Sequence, residues 1–243
     1  MSSLGATSAL GVGVSATTGI RLGFVTASRR WMFRSTFLIV ALSATLVISG
    51  GIIERRITTW GAVDRSLLST FRLVIPLYCF ALSVAVCDRL RLREAAWSIA
   101  RFGAARRDVA LGIVLSLVAA SAVGGVVLAI AAVLSAYGPS SRPLASELFT
   151  SGWIGGLVGA AYAAWFAFGS TFFDRGRGRW IVLLLDLLLG SATGAISAAF
   201  PRSHARGLLG AVGPTHFSQP QSCVALIVIV VVLSLLAIGR SRD

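Results

Sequence analysis

Residues 88–108 read DRLRLREAAWSIARFGAARRD and lie between two long apolar segments of the chain. On a helical period, the apolar side chains of this stretch fall on one stripe and the polar side chains on another. The apolar stripe comprises Leu92, Ala95, Ala96, Ile99 and Phe102, and the polar stripe comprises Arg91, Glu94, Ser98 and Arg101. This pattern predicts an amphipathic helix that lies against a membrane surface.

The composition of the whole chain places it in the membrane class. The 243 residues are 56% hydrophobic and 13% charged, with a mean hydropathy of +0.85. Several apolar runs approach the roughly 20 residues that a helix needs to cross a bilayer. We therefore expect an all-α polytopic membrane protein with six transmembrane helices. The predicted spans are residues 31–53, 67–87, 109–136, 148–173, 180–200 and 223–239.

The first 30 residues differ from the rest of the chain and form a separate predicted unit. Residues 1–18 carry no charge and are rich in Ser, Gly, Ala and Thr, which is typical of a flexible lead-in. Residues 20–31 are interpreted as an interfacial helix, and the alternative is a disordered basic tail. In the helical interpretation, the arginines face lipid headgroups and the apolar side chains enter the acyl boundary. The arginines are Arg21, Arg29 and Arg30, and the apolar side chains are Leu22, Phe24, Val25 and Trp31. Residues 31–243 are expected to form one six-helix transmembrane domain.

The charge distribution predicts an orientation in the membrane. All 22 basic residues are arginine, and the formal net charge is +13. Because these arginines cluster between apolar spans, we expect anionic lipid headgroups to be their partners, and we expect no nucleic acid. Placing both termini in the cytoplasm leaves fifteen arginines inside and seven outside, as the positive-inside rule requires. The prediction is a multi-pass protein of a bacterial inner membrane.

One acidic residue lies inside the fifth predicted span. A charge at the centre of a membrane helix costs about 2.5–3.5 kcal/mol on insertion scales, so Asp186 is expected to face protein or water. At helical spacing, Gly190, Thr193, Gly194 and Ser197 share its side of the helix. This face is a candidate translocation path or permease dimer contact. The alternative is that Asp186 is a packing residue, satisfied by a neighbouring hydroxyl or backbone carbonyl.

The segment after the fifth predicted span is long for a turn. Residues 200–221 contain two prolines that bracket the apolar stretch 207–212, so the segment is interpreted either as a re-entrant element or as an exposed loop. It also contains His204 and His216, which lack a nearby Cys or carboxylate. They are expected to be surface residues, and no metal site is predicted.

This layout resembles the permease subunit of ABC-2 type transporters. Members of that family commonly have an acidic residue, a short apolar helix, a break, and a small-residue, Arg-rich start to the third span. The matching residues are Arg93 and Glu94, then 95–102, then 103–105, then Arg106, Arg107 and Asp108. The chain departs from the pattern at Gly103, where the break often contains Pro, and near Gly112, where the next residue is Ile113 and not the frequent Lys.

The resemblance implies that the amphipathic helix is a coupling helix that docks on a nucleotide-binding subunit. The implied coupling residues are Arg91, Leu92, Glu94, Ala95, Ile99, Arg101, Phe102 and Gly103. Glu94 and Arg101 are expected to make polar contacts with the partner, and Gly103 is expected to be the hinge into the third span.

The sequence also bears on catalysis. It contains no lysine and therefore cannot form a P-loop, and it shows no nucleophile–base arrangement at a suggestive spacing. We expect a non-catalytic subunit without a cofactor of its own, with ATP and Mg bound by a separate ATPase and with a second permease copy or a related permease as partner.

The expected cargo is hydrophobic or amphipathic. The alternative is a membrane anchor or assembly subunit that transports nothing; a secondary transporter fits less well, because no internal repeat is apparent.

Overall fold

Helices account for nearly all of the regular structure. The computed structural model describes residues 15–32, 34–58, 61–139, 141–192, 195–210 and 217–241, and no strand occurs within these ranges. Five helical segments among the described residues are long and apolar enough to cross a membrane: Thr36–Ile57, Ala62–Val86, Arg106–Ala136, Leu144–Gly169 and Gln219–Gly239. The all-α prediction is confirmed for the described residues, and the five helices support a multi-pass membrane protein. The six predicted spans are not confirmed, because five helices among the described residues meet this requirement.

The described residues form ten α-helices, which are numbered here in chain order. They are α1 (Ala16–Trp31), α2 (Arg34–Ile57), α3 (Ala62–Ser69), α4 (Ile75–Val86), α5 (Leu92–Ala100), α6 (Arg106–Ala136), α7 (Leu144–Gly169), α8 (Gly178–Leu189), α9 (Pro201–Leu208) and α10 (Gln219–Gly239). A π-helical turn, Thr70–Val74, joins α3 to α4, and 3-10 turns occur at Asp174–Gly176 and Ala195–Ala199. The fourth predicted span was placed too far along the chain, because α7 begins at Leu144 and ends at Gly169.

The fifth predicted span is not one continuous helix. Helix α8 ends at Leu189 after 12 residues, which is about 18 Å of helix, and the hydrocarbon core of a bilayer is about 30 Å thick. The last part of the predicted span forms the 3-10 turn Ala195–Ala199, and α9 follows at once. The apolar run of residues 180–200 therefore contains a break that its hydropathy does not show.

Helix α1 lies directly on the first half of α6. It begins at Ala16, with Ser15 as its N-cap, so the predicted lead-in extended too far; residues 1–14 lie outside the described part of the chain. A Cβ atom on Gly23 would overlap the carbonyl group of Val109, so the two backbones are in contact. Arg21 and Arg29 point away from α6 and are exposed, as are the apolar side chains Leu22, Phe24 and Val25.

The centre of the bundle is the antiparallel pair α6 and α7. A Cβ atom on Gly125 of α6 would overlap the carbonyl oxygen of Gly155. A Cβ atom on Gly159 of α7 would likewise overlap the carbonyl oxygen of Ser121. Such small residues allow close contact between membrane helices. Helices α4 and α7 end, and α6 and α8 begin, on the side of the bundle where α5 lies, and we refer to this side as the α5 end.

Candidate functional site

Helix α5 packs one face against the bundle. Leu92, Ala95 and Ala96 are buried, and Ile99 is partly buried. These side chains share one face of the helix, as predicted, but that face packs against the protein's own bundle and not against a membrane surface. Phe102 was wrongly assigned to the stripe, because α5 ends at Ala100 and the Phe102 side chain, in the following turn, is 73% exposed.

The opposite face of α5 and the turn that follows the helix carry exposed aromatic and arginine side chains. Trp97 is 50% exposed, and the guanidinium of Arg106 lies 3.9 Å from the centre of its ring. The guanidinium of Arg101 lies 5.0 Å from the centre of the Phe102 ring. We refer to Trp97, Arg101 and Phe102 as the α5 outer face. Aromatic and arginine side chains of this kind supply much of the energy in protein interfaces.

Glu94 is used by its own helix. The backbone N–H of Arg91, the N-cap residue, donates a hydrogen bond to Glu94 Oε2 at 3.1 Å, and Arg91 Nε lies 3.8 Å from Glu94 Oε1. This is the carboxylate half of a capping box, which satisfies an N–H group that the helix itself leaves unpaired. A contact of Glu94 with a partner protein stays a prediction. Gly103 has a φ of +99°, which favours glycine and suits the sharp change of direction before α6.

Replacing Glu94 by alanine should destabilise the start of α5 by about 1 kcal/mol, because it removes the capping acceptor. We expect amide hydrogen exchange in α5, followed by mass spectrometry, to become about fivefold faster. Glu94→Gln keeps an acceptor oxygen and should exchange nearly as the wild type does. Equal protection in all three proteins would contradict the capping role.

The start of α5 is tied to the turn between α7 and α8. Arg91 Nε donates to the carbonyl oxygen of Phe173 at 2.7 Å, and the same guanidinium is paired with the carboxylate of Asp174. Arg179, at the start of α8, donates to the carbonyl oxygen of Leu90. We refer to residues 88–91 and 173–179 together as the junction. A displacement of α5 would therefore act directly on α8.

Asp186 lies two helical turns further along α8 and is fully buried, at 0% exposure. Its Oδ2 atom accepts a hydrogen bond of 2.9 Å from the hydroxyl of Tyr162 and lies 3.7 Å from Nε of Arg202. Asp186 was expected to face protein or water, and in the structure it faces protein. The hydroxyl partner belongs to the packing alternative. The sequence did not indicate Arg202, which had been counted among the external arginines.

Arg202 connects three elements at the break that follows α8. Besides Asp186, its guanidinium contacts the carbonyl oxygen of Leu187 at 3.0 Å and the carbonyl oxygen of Arg72. Arg72 belongs to the π-helical turn near the middle of the Ala62–Val86 segment. Such turns release a backbone carbonyl from the helix, and they are frequent at functional sites. Helix α9 thus reaches the interior of the bundle.

The predicted polar face of the fifth span does not exist as one helical face. Gly190 directly follows α8, and its backbone lies against the Arg202 side chain. Ser197 is buried in the 3-10 turn, where its carbonyl oxygen accepts a hydrogen bond of 2.6 Å from Ser203 Oγ. Thr193 and Gly194 lie outside the described residues.

His204 is not a surface residue. It is fully buried on α9, its Nε2 atom lies 2.7 Å from the carbonyl oxygen of Ala198, and its ring stacks on Phe217. His216 lies outside the described part of the chain. Within that part, no group of three or more His, Cys, Asp or Glu side chains is placed to hold a metal ion.

Helix α8 connects the junction to the Asp186–Arg202 pair. It begins in the junction, and Asp186 lies near its other end, just before the break. The junction contains Arg91, the N-cap of α5, and the α5 outer face lies towards the C-terminal end of the same short helix. No protein-family model, curated protein or solved structure matches this chain.

Proposed function

We propose that this chain is the membrane-spanning permease subunit of an ATP-driven ABC-2 type transporter, with its α5 end in the cytoplasm. The observation that carries the proposal is the junction, in which the residues just before α5 bond to the turn before α8 and to the start of α8: Arg91 with Phe173 and Asp174, and Leu90 with Arg179. A helix that only covered the end of the bundle would not need direct bonds to the start of another membrane helix.

In this proposal, a separate ATPase subunit binds the α5 outer face and supplies the motion. ATP and Mg are held by that partner, and this chain performs no catalysis. Displacement of α5 moves the junction, and the junction moves α8. Because Asp186 on α8 is paired with Arg202 on α9, the motion reaches the break within the bundle. Such a transition needs two discrete arrangements of α8 and α9, which the ATPase would bias.

The membrane topology that accompanies this proposal has six crossings. The fifth is discontinuous and consists of α8, the 3-10 turn Ala195–Ala199 and α9. The ring of Phe200 packs on Trp165, and the indole N–H of Trp165 donates to the carbonyl oxygen of Val182, near the start of α8. These contacts support a return of the chain alongside α8 before α9 begins. Discontinuous membrane helices are a recurring device at transport sites.

Both termini are proposed to lie in the cytoplasm of a bacterial cell. An in-plane interfacial position is not proposed for α1, because Gly19 lies beside Asp108 and Ser28 is hydrogen-bonded to Ser116, so α1 runs alongside α6.

The proposed complex also contains a second permease, identical or related. Helices α2 and α10 are the least buried of the long helices. In each of them, only 22% of the residues in an 18-residue apolar stretch are buried within the protein. Their remaining faces are available for lipid or for the second permease. The proposed cargo is hydrophobic or amphipathic, and the proposed direction is export.

The coupling role is tested with Phe102→Ala. Since this ring is 73% exposed, its removal should leave the fold intact and weaken a partner that docks on it. We expect an ATPase with a P-loop to co-purify with the tagged wild-type chain from membranes of its source cells. With Phe102→Ala, the co-purified ATP hydrolysis should fall at least tenfold, in line with the loss of about 2 kcal/mol on truncating an interface anchor.

Phe149→Ala is the matched control, because Phe149 is 78% exposed at the other end of the bundle. It should leave the ATPase activity unchanged. If no P-loop protein accompanies the wild-type chain, or if Phe102→Ala retains full hydrolysis, the coupling proposal is wrong. The alternative of a non-transporting anchor subunit would then be preferred.

A further inference from the structure

A cavity of about 690 Å³ opens at the α5 end, beside the junction. Its basic lining residues are Arg89, Arg175, Arg177 and Arg179, and its one acidic lining residue is Asp88. Its apolar wall comes from α2, α4 and α8, through Ile39, Phe80 and Trp180 among others. The volume is within the range of about 300–1,000 Å³ that is usual for ligand sites.

Arg179 is a buried cation that lines this cavity. Its side chain is 2% exposed, and its one hydrogen bond among the described residues is the bond to the carbonyl oxygen of Leu90. Its Nε–H group is buried without a partner there, and no described carboxylate lies within 4.0 Å of the guanidinium. A buried charge is costly unless it is paired, so an anion in the cavity would remove this penalty.

The backbone at the rim of the cavity is held in an uncommon conformation. Four described non-glycine residues have positive φ, and all belong to the junction: Asp88, Arg89, Phe173 and Arg175, with φ of 51–58°. Residues of this kind are uncommon, and they cluster at binding sites, where the surrounding structure maintains the strain. Here the strained turns carry Arg89 and Arg175 to the cavity.

The opposite wall of the cavity is apolar and aromatic. The ring centres of Phe80 and Trp180 are 4.4 Å apart, and the Trp180 side chain is more than half exposed. Phe80 is two turns from the end of α4, and Trp180 is in the first turn of α8, so this wall continues from the basic rim into the membrane helices. The ligand that matches both halves has an anionic head and a hydrocarbon tail.

We propose that this cavity binds an amphiphile whose phosphate diester headgroup carries a net negative charge. Guanidinium groups match phosphate oxygens in planar, two-point hydrogen bonds, and those of Arg89, Arg175, Arg177 and Arg179 belong to residues that line the cavity. The hydrocarbon chains lie along Phe80, Trp180 and Ile39. Binding does not depend on the transport proposal, because it is a property of the chain alone.

The test uses the full-length chain in detergent micelles, titrated with phosphatidylglycerol or phosphatidylcholine and followed by native mass spectrometry. Phosphatidylglycerol is expected to bind more tightly than phosphatidylcholine at the first lipid site to be filled. The double variant Arg89→Gln, Arg177→Gln removes two exposed arginines of the cavity and should weaken that binding about 25-fold, at about fivefold for each arginine. The matched control Arg55→Gln, Arg56→Gln removes two exposed arginines at the other end of the bundle and should have no effect.

Three results would overturn the proposal. One is an equal loss in the control pair, which would show only a general response to surface charge. Another is unchanged phosphatidylglycerol binding in the cavity variant, with helicity and gel-filtration profile equal to those of the wild type. The third is displacement of the lipid by soluble glycerol phosphate at equal concentration, because the apolar wall would then contribute nothing.

Discussion

Replacing Asp186 by alanine is expected to lower the free energy of unfolding by about 3–5 kcal/mol. The substitution leaves Arg202, which is 2% exposed, as a buried charge without its carboxylate. It also removes the acceptor of the Tyr162 hydroxyl. Unfolding is followed as the loss of helicity when the protein is transferred stepwise from a mild detergent into SDS.

A double variant separates the ion pair from simple loss of packing. Asp186→Ala combined with Arg202→Met removes both charges, and it should recover most of the lost stability, because an apolar replacement of a whole buried pair is often close to neutral. Asp64→Ala, at an exposed acidic residue of α3, should change stability by less than about 1 kcal/mol. If Asp186→Ala were no worse than Asp64→Ala, the pair would not contribute to folding.

Replacing Gly125 by alanine is expected to destabilise the protein by about 1–3 kcal/mol or more. The added Cβ would overlap the carbonyl oxygen of Gly155, so α6 and α7 would have to separate along their contact. This is the central contact of the bundle, and backbone atoms cannot move aside as a flexible side chain can. The same transfer into SDS measures the effect, which should appear as an earlier loss of helicity.

The control for this substitution is Gly50→Ala in α2. A Cβ atom at Gly50 meets no other atom within 4 Å, and alanine favours a helix by about 1 kcal/mol relative to glycine. Gly50→Ala should therefore be neutral or stabilising. A loss of stability of the same size at Gly50 and Gly125 would show that the close approach of α6 to α7 is not the cause.

Patterns along the chain predicted the elements that depend on nearby residues. The buried positions of α5 followed from the spacing of Leu92, Ala95 and Ala96, which places them on one face. The cost of a charge in an apolar run predicted that Asp186 faces protein or water, and the structure places it in protein. The end of α5 before Phe102 was not predicted, because Phe102 continues the apolar spacing although the helix stops at Ala100.

The contacts of the candidate site were not predictable in the same way. Arg91 and Asp174 are 83 residues apart, and Arg202 and Arg72 are 130 apart. The hydropathy of residues 180–200 is uniform and predicted one helix. In the structure, α8 ends at Leu189, and Gly190 leaves room for the Arg202 side chain. His204 was expected at the surface because its burial depends on Ala198 and Phe217, and no periodic pattern relates these residues.

The sequence by itself determined that this is an all-α protein with helices long and apolar enough to cross a membrane, and with an amphipathic helix between two of them. These properties follow from the transfer free energy of side chains, which adds up locally along the chain. The tertiary structure decided the break after α8, the pairing of Asp186 with Arg202, and the junction that ties α5 to α8. Each requires residues distant in sequence to meet, and close packing of whole helices determines which of them do.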